Sequence, residues 1–375
     1  MLFESHLGSR RLPVFPFALI SFLFAFGCAQ LQGFNKVDIM DVSVLSQKSY
    51  KVNHDPSKHT VVILADSEGT EITDLLVPFS LLKQSGFNVY ILSNKRSPVI
   101  LWKGLVVLPH FLVTEFPYEY DAVVVPYLTH TEDPALISFL SKTDKKILSV
   151  CEGARLIGNT GKFNGRNMTT HATSIFELEA KYPWIKWQRG KKYETDGNLT
   201  STAGVASSIE GSLFLIRELA GETALQNTMK NINYPFATLR RDYPGEPVSF
   251  SDKFTIAKKV LFDDDPKIAI EIYQGIDEMN LALTLDAWAR TFPLKIEAVA
   301  KGFVKSKNGL LLSGAQNYLD HDLRICPGQC DEKAFSKRTL HVSDKKAFSL
   351  DANLELIKKE YGERFSKTVR RMIDY

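Results

Sequence analysis

The chain has 375 residues, 44% of them hydrophobic and 24% charged, and a net charge of +3 at neutral pH. That length fits two globular domains at roughly 100–200 residues each, and the composition is that of a core-forming chain rather than a disordered or fibrous one. So small a charge, with no zinc spacing, phosphate-cradling glycine loop or aromatic-basic stripe, excludes nucleic acid as an expected partner and leaves no cofactor or metal signature.

In chain order, Arg10 and Arg11 precede an apolar run from Leu12 to Gly27 that ends at Cys28-Ala29-Gln30. A basic start, an apolar core and a small residue before the break predict a secretory signal over residues 1–28. The run is shorter than the about 20 apolar residues that span a bilayer. Cys28 resembles the lipidation site of bacterial lipoproteins, although Ala25 stands where a leucine-like residue is usual. The expectation is an exported protein of a bacterial cell envelope, anchored to the membrane through a lipid on Cys28, with residues 29–58 as a tether or an added edge element.

From Val61 the segment VVILADSEGTEITDLLVPFSLLKQSGFNVYILS reads strand, helix, strand, with Asp74 in the helical part four residues before Pro78. DAVVVP, from Asp121, is a further buried strand and runs into Tyr127-Leu128. Lys146 to Val150 is a short apolar run that ends at Cys151, and a small-residue, helix-compatible stretch follows at Glu152-Gly153-Ala154. That pattern predicts a sharp strand-to-helix turn with the thiol at the bend, exposed and beside a helix N-terminus where thiolate is favoured. Twenty residues on, His171 closes Thr169-Thr170-His171, and Thr202-Ala203-Gly204 lies in the run STAGV.

Together these motifs, from about Val61 to Tyr234, resemble the DJ-1/PfpI family, and most closely its branch with isonitrile hydratases and the amino-terminal domains of some AraC-type regulators. The resemblance implies an α/β, flavodoxin-like sandwich over residues 59–234 with Cys151 on a nucleophile elbow. It implies that Asp74 approaches the sulfur and tunes it as a shared-proton partner. His171, Thr202, Gly204 and Tyr127 are then expected to line the site, with Gly204 supplying backbone freedom. Glu152 stands where protease-like members carry histidine, so the usual Cys-His pair is absent; Glu152 is either an acid or a complement to the helix N-terminus. The family's Pro-Gly-Gly is here Pro126-Tyr127-Leu128, whose side chains resist positive φ, so the oxyanion donors are expected to be misaligned.

Residues 235–266, with four prolines and Asp263-Asp264-Asp265, read as a linker. Beyond it the sequence repeats itself. SLDANLELIKKEYGERFSKTVRRMIDY aligns without gaps on the earlier segment from Ser208, setting Ser349 on Ser208, Gly362 on Gly221 and Tyr375 on Tyr234. IAIEIYQGIDEMNLALTL aligns on the segment from Val61 and sets Gly275 on Gly69. The interval from Gly69 to Gly275 is much longer than that from Ser208 to Ser349, because the second half passes from Pro327 almost directly to its last strand and helix pair. Residues 267–375 are thus expected to be a degenerate second copy without an elbow, with Asn280 in place of Asp74; the chain then forms either an intramolecular pseudo-dimer, the second copy standing where a partner subunit would, or a homodimer. Cys326 and Cys330, in CPGQC, are either a small-loop disulfide or two idle thiols.

Two functional readings follow. One is a cysteine-dependent hydratase or hydrolase of a small electrophilic substrate, with Cys151 and Asp74 as the catalytic pair. The other is a non-catalytic ligand-binding or redox-sensing lipoprotein in which Cys151 oxidises reversibly or lines a pocket.

Overall fold

The computed structural model describes residues 52–242, 248–262, 266–316, 320–328, 330, 338–342 and 347–375. The leader, Cys28 and most of the tether lie outside the described residues. Strands β1 (Thr60–Ala65), β2 (Asn88–Ser93), β3 (Val99–Ile100), β4 (Val106–Val107), β5 (Phe111–Leu112), β6 (Ala122–Val125) and β7 (Lys146–Ser149) come before the elbow, with helix α1 (Ile72–Gln84) after β1 and α2 (Pro134–Lys142) after β6. Then follow α3 (Ala154–Asn159), β8 (Asn167–Met168), α4 (Ile175–Lys181), β9 (Lys186–Trp187), β10 (Tyr193–Asp196), β11 (Leu199–Thr202) and the long α5 (Ser207–Asn231). The main sheet has the order β10-β11-β7-β6-β1-β2-β5, parallel except for the β10–β11 hairpin. Strand β1 lies inside it with every residue buried, as a parallel strand covered on both faces requires.

Past residue 242 come α6 (Phe250–Phe262), β12 (Lys267–Glu271), α7 (Glu278–Ala289), β13 (Lys295–Val299), β14 (Val304–Lys305), β15 (Leu311–Ser313), β16 (Leu323–Pro327), β17 (Arg338–Val342), α8 (Ser349–Tyr361) and α9 (Glu363–Met372). Strands β13-β12-β16-β17 form a second parallel sheet. Its first three strands follow the same path as β2-β1-β6. Beside β16, where β7 stands beside β6, lies β17, the strand that leads into the α8–α9 helix pair as β11 leads into α5. Among the described residues the elbow strand has no counterpart there.

Residues matched in the sequence share local geometry. Gly221 breaks α5 at φ 83°, and Gly362 divides α8 from α9 at φ 86°; both need a left-handed backbone that glycine adopts without a Cβ clash. Tyr234 Oη donates to Glu210 Oε1, as Tyr375 Oη does to Asp351 Oδ1. In the hairpins, Val99 faces Val107 as Val304 faces Leu312.

The two halves meet through like elements. The hairpins join through β4 and β15 into one antiparallel sheet, β14-β15-β4-β3, with Val107 opposite Leu312. Helix α1 is buried from Ile72 to Leu82 on all its faces, because one face lies on the main sheet and the other on α7. Each apolar side chain so covered contributes roughly 1.5–3 kcal/mol relative to exposure. Asp277, which caps α7, approaches Ser80 Oγ at 3.5 Å and Gln84 Nε2 at 3.4 Å on α1. Glu71, which caps α1, lies in the field of Asp286 on α7. One continuous apolar core runs from Val61 and Leu75 to Leu281 and Trp288.

Two of the expected connecting segments pack on the domains. In the first, the tether or edge element, His54 stacks on Tyr118 and bonds Tyr90 Oη at 3.1 Å. The expected linker holds α6, whose Asp252 pairs with Arg371 at 3.0 Å and accepts from Thr368 Oγ1 at 2.8 Å. Cys326 and Cys330 are disulfide-bonded.

Candidate functional site

Strand β7 ends at Ser149, and the backbone turns at Cys151 with φ 52°. For a residue with a Cβ this left-handed conformation costs roughly 1–2 kcal/mol, so the surrounding structure must impose it. Val150 N–H donates to Val125 O at 2.9 Å and Gly153 N–H to Val150 O at 2.8 Å, closing a tight 3-10 turn before α3. A Cβ on Gly153 would lie 2.0 Å from Val125 O. Only glycine lets the elbow sit this close to β6.

Both backbone groups of Cys151 are pinned. Its N–H donates to Thr202 Oγ1 at 3.4 Å, and its carbonyl accepts from Thr170 Oγ1 at 2.9 Å. The elbow geometry agrees with the sequence, but the exposure does not: Cys151 is in no disulfide and is only 5% exposed. The flanking segments that hold its backbone also close over it.

Asp74 is completely buried on α1, and its Oδ2 accepts the Tyr127 N–H at 3.1 Å. Glu71 N–H donates to Tyr127 O at 3.0 Å, and Glu71 Oε2 accepts from Asp74 N–H at 2.7 Å and Thr73 Oγ1 at 2.6 Å. The start of α1 is thereby clamped to the residues after β6, the strand next to the elbow. Burial, with Asp286 adding like charge, pushes the Glu71 carboxyl above its ordinary range. The sequence leads one to expect misaligned oxyanion donors at Tyr127; its amide is instead committed to the Asp74 carboxylate. Sequence reasoning missed Glu71, whose only signal was a cap-position acid ahead of Thr73 and Asp74.

Glu152 is an ion-pair residue. Its Oε2 takes Arg155 Nε at 2.6 Å, its Oε1 accepts from Ser174 Oγ, and Arg155 reaches on to Glu177 at 2.6 Å. Of its two expected roles, acid or complement to the helix N-terminus, the geometry favours neither; it ties α3 to the start of α4. His171 is 6% exposed, and its Nδ1 accepts the Thr173 N–H at 3.3 Å and lies 2.7 Å from Thr173 Oγ1.

Gly204 does not act as expected. It is not among the positive-φ glycines; what sets it apart is the tight space around it. A Cβ there would lie 3.1 Å from Asp374 Cβ and 3.3 Å from both Asp374 Oδ2 and His171 Cδ2. Asp374, from beyond α9, has no signal in the sequence that would place it near this site. Lys192, fully buried beside it, donates to the Asp374 carbonyl at 2.7 Å, and burial lowers the affinity of its ammonium for the proton.

Two other groupings stand apart from Cys151. A cleft of about 510 Å³ is lined by Glu68, Asn94, Lys95, His130 and Asp133, with His130 Nδ1 2.8 Å from buried Asp66 Oδ2. In the second half, Glu271 lies with Cys326 and Cys330, ligand atoms within 4.8 Å of one another, but the disulfide engages both sulfurs. Among the described residues no helix is long and apolar enough to cross a membrane.

Comparison with known proteins adds relatives. A family model described as DJ-1/PfpI family matches residues 59–218. Protein DJ-1 homolog B of Arabidopsis thaliana is 20% identical over 304 residues, covering 76% of this chain and 66% of that protein. Protein dj-1beta of Drosophila melanogaster is 23% identical over 186 residues, covering 47% and 97%. Deglycase TK1284 of Thermococcus kodakarensis is 25% identical over 150 residues, covering 38% and 88%. The crystal structure of Drosophila melanogaster DJ-1beta matches 48% of this chain and all of that chain, at 18% identity and a TM-score of 0.44.

Proposed function

The chain belongs, through residues 59–218, to the DJ-1/PfpI family, and on that premise we propose that it is a cysteine-dependent hydratase or hydrolase of a small electrophile. The observation that carries the reading is the buried cysteine at φ 52°, held at both backbone groups. Strain of this kind concentrates at functional sites. A relative described as a deglycase supports the same class of chemistry.

In this reading Cys151 Sγ bonds to the electrophilic carbon, and the thiol proton passes, with the Asp74 carboxyl as relay, to the heteroatom that gains the electron pair. Water then displaces sulfur from that carbon, and its proton restores the thiol. The net change is addition of one water. Asp74 is suited to the relay because it is shut away from bulk water, while the Tyr127 amide holds its orientation.

The test is the pH dependence of Cys151 alkylation in the native chain and in Asp74→Asn, followed by mass spectrometry of the Cys151 peptide. The expected result is a thiol pKa below the free value of about 8.5 that moves in the variant. An ordinary thiol indifferent to Asp74 sinks the catalytic reading. The second reading, a ligand-binding or redox-sensing protein, is favoured by one observation: the Tyr127 amide, a natural oxyanion donor, already serves Asp74. A thiol that forms a reversible sulfenic acid without turning over carbonyl substrates would select it.

Two further elements complete the proposal. Residues 267–375 are a truncated second copy that occupies a partner subunit's place, supported by the matching hairpin registers and the α1–α7 contact. Residues 1–28 direct export, with Cys28 as the lipid anchor, supported by the leader pattern alone; unchanged membrane partition of Cys28→Ser would remove the anchor.

A further inference from the structure

The segment after α9 is seated on the first domain. Ala206 N–H donates to Ile373 O at 3.2 Å, and Lys192 Nζ to Asp374 O at 2.7 Å. Both contacts fall beside Thr202, which receives the Cys151 amide. The Asp374 carboxylate, the His171 ring edge and the Gly204 backbone surround one point, the first two each 3.3 Å from it. His171 follows Thr170, which bonds the Cys151 carbonyl. The second half thus reaches the candidate site through the Asp374 side chain.

The turn itself does not require the charge. Asp374 has φ 59°, and Asn233, the residue matched to it when Tyr234 is set on Tyr375, has φ 53°. Asparagine serves this left-handed position as well as aspartate. Lys192 lies in the field of both Glu210 and Asp374, Arg240 pairs with Glu210 at 2.9 Å, and Arg370 Nε donates to Tyr375 O at 3.3 Å.

The geometry points to Asp374 as a specificity-determining residue, lent by the second domain to the Cys151 site, that admits neutral or cationic small electrophiles and turns away carboxylate-bearing ones. This rests on Cys151 being the reactive thiol of the proposed function. Compared with a neutral residue at the same place, a carboxylate beside the site raises the energy of a second anion there.

The experiment compares Cys151 alkylation by iodoacetamide, which is neutral, with that by iodoacetate, which is anionic. In each case sulfur bonds to the methylene carbon, iodide leaves, and the thiol proton passes to solvent. The full chain is used, and the Cys151 peptide is quantified. Asp374→Asn is expected to raise the iodoacetate rate about threefold or more relative to iodoacetamide, an effect that shrinks in 1 M salt. Asp374→Glu should keep the native ratio, and Glu222→Gln, on the exposed side of α5, should not move it. An unchanged ratio in Asp374→Asn, with the native melting temperature retained, overturns the inference while leaving a reactive Cys151 intact. If neither reagent modifies Cys151 in the native chain, the proposed function fails first and this inference with it.

Discussion

Cys151 and Gly153 divide the demands of the elbow between them. The first bears a left-handed backbone despite its Cβ; the second stands where a Cβ would meet Val125 O at 2.0 Å. Two stability outcomes follow. Cys151→Gly should be more stable than Cys151→Ala by about 1 kcal/mol, because only glycine relieves the positive φ. Gly153→Ala should destabilise by about 3 kcal/mol or more, since a backbone carbonyl in a central strand cannot give way. Chemical denaturation of the three variants measures both, and Cys151→Ala matching Cys151→Gly would show that the bend carries no strain. The bend at Cys151 and the helical place of Asp74 were legible in the sequence because motif and apolar flanks set them apart. The role of Gly204 was not, because a sequence does not distinguish a glycine chosen for torsion from one chosen for room. Glu152 was ambiguous for a similar reason: the partner that decides its role, Ser174, lies outside its own helix.

At the level of elements, α1 and α7 lie against each other so that the cap of each meets the body of the other. The match is not perfect in charge. Ser80 faces Asp277, whereas the corresponding contact sets Glu71 near Asp286, which is held by Arg290 at 2.9 Å and 3.0 Å. Because the folded-state pKa of Glu71 is raised above its ordinary value of 4.5, the folded chain holds that proton more tightly than the unfolded one. The sign is therefore fixed: this group's contribution is most favourable below about pH 4.5 and is lost as pH rises through the folded pKa. Glu71→Gln is expected to raise the melting temperature at pH 8 and to lose that advantage near pH 4. An advantage that does not vary with pH would mean that the gain comes from packing. The helices and strands of both halves were readable from apolar runs and from the pairing of Gly69 with Gly275 and of Gly221 with Gly362. Which faces dock was not, since α1 is apolar all round and its sequence does not say which side meets the sheet and which meets α7.

For the molecule as a whole, the second half covers the first. Without it, α1 and the outer edge of β4 would be bare, an apolar face of the kind that drives association. The full chain is expected to run as a monomer in light scattering coupled to size exclusion, and residues 52–242 alone to self-associate or precipitate. If that segment were monomeric and as stable as the full chain, the second half would not be acting as a built-in partner. The shorter path from β16 to β17 and the final helix pair, among the described residues, goes with the shortened interval between matched residues in the sequence. The return of residues 373–375 to the Cys151 site was not legible there, because that contact joins the far end of the sequence to its middle and has no local signature.

The β4–β15 junction also sets a clock on biosynthesis. Strand β4 leaves the ribosome about two hundred residues before the strand that pairs with it, which at roughly 5–20 residues per second amounts to ~10–40 s. Throughout that interval the nascent first domain carries an open edge and a bare apolar helix, and its neighbours on the same polysome carry identical ones. Yield in a recombinant host should therefore depend on holdase supply and on slowed initiation, which spaces the unfinished chains apart, more than on the stability of the finished protein.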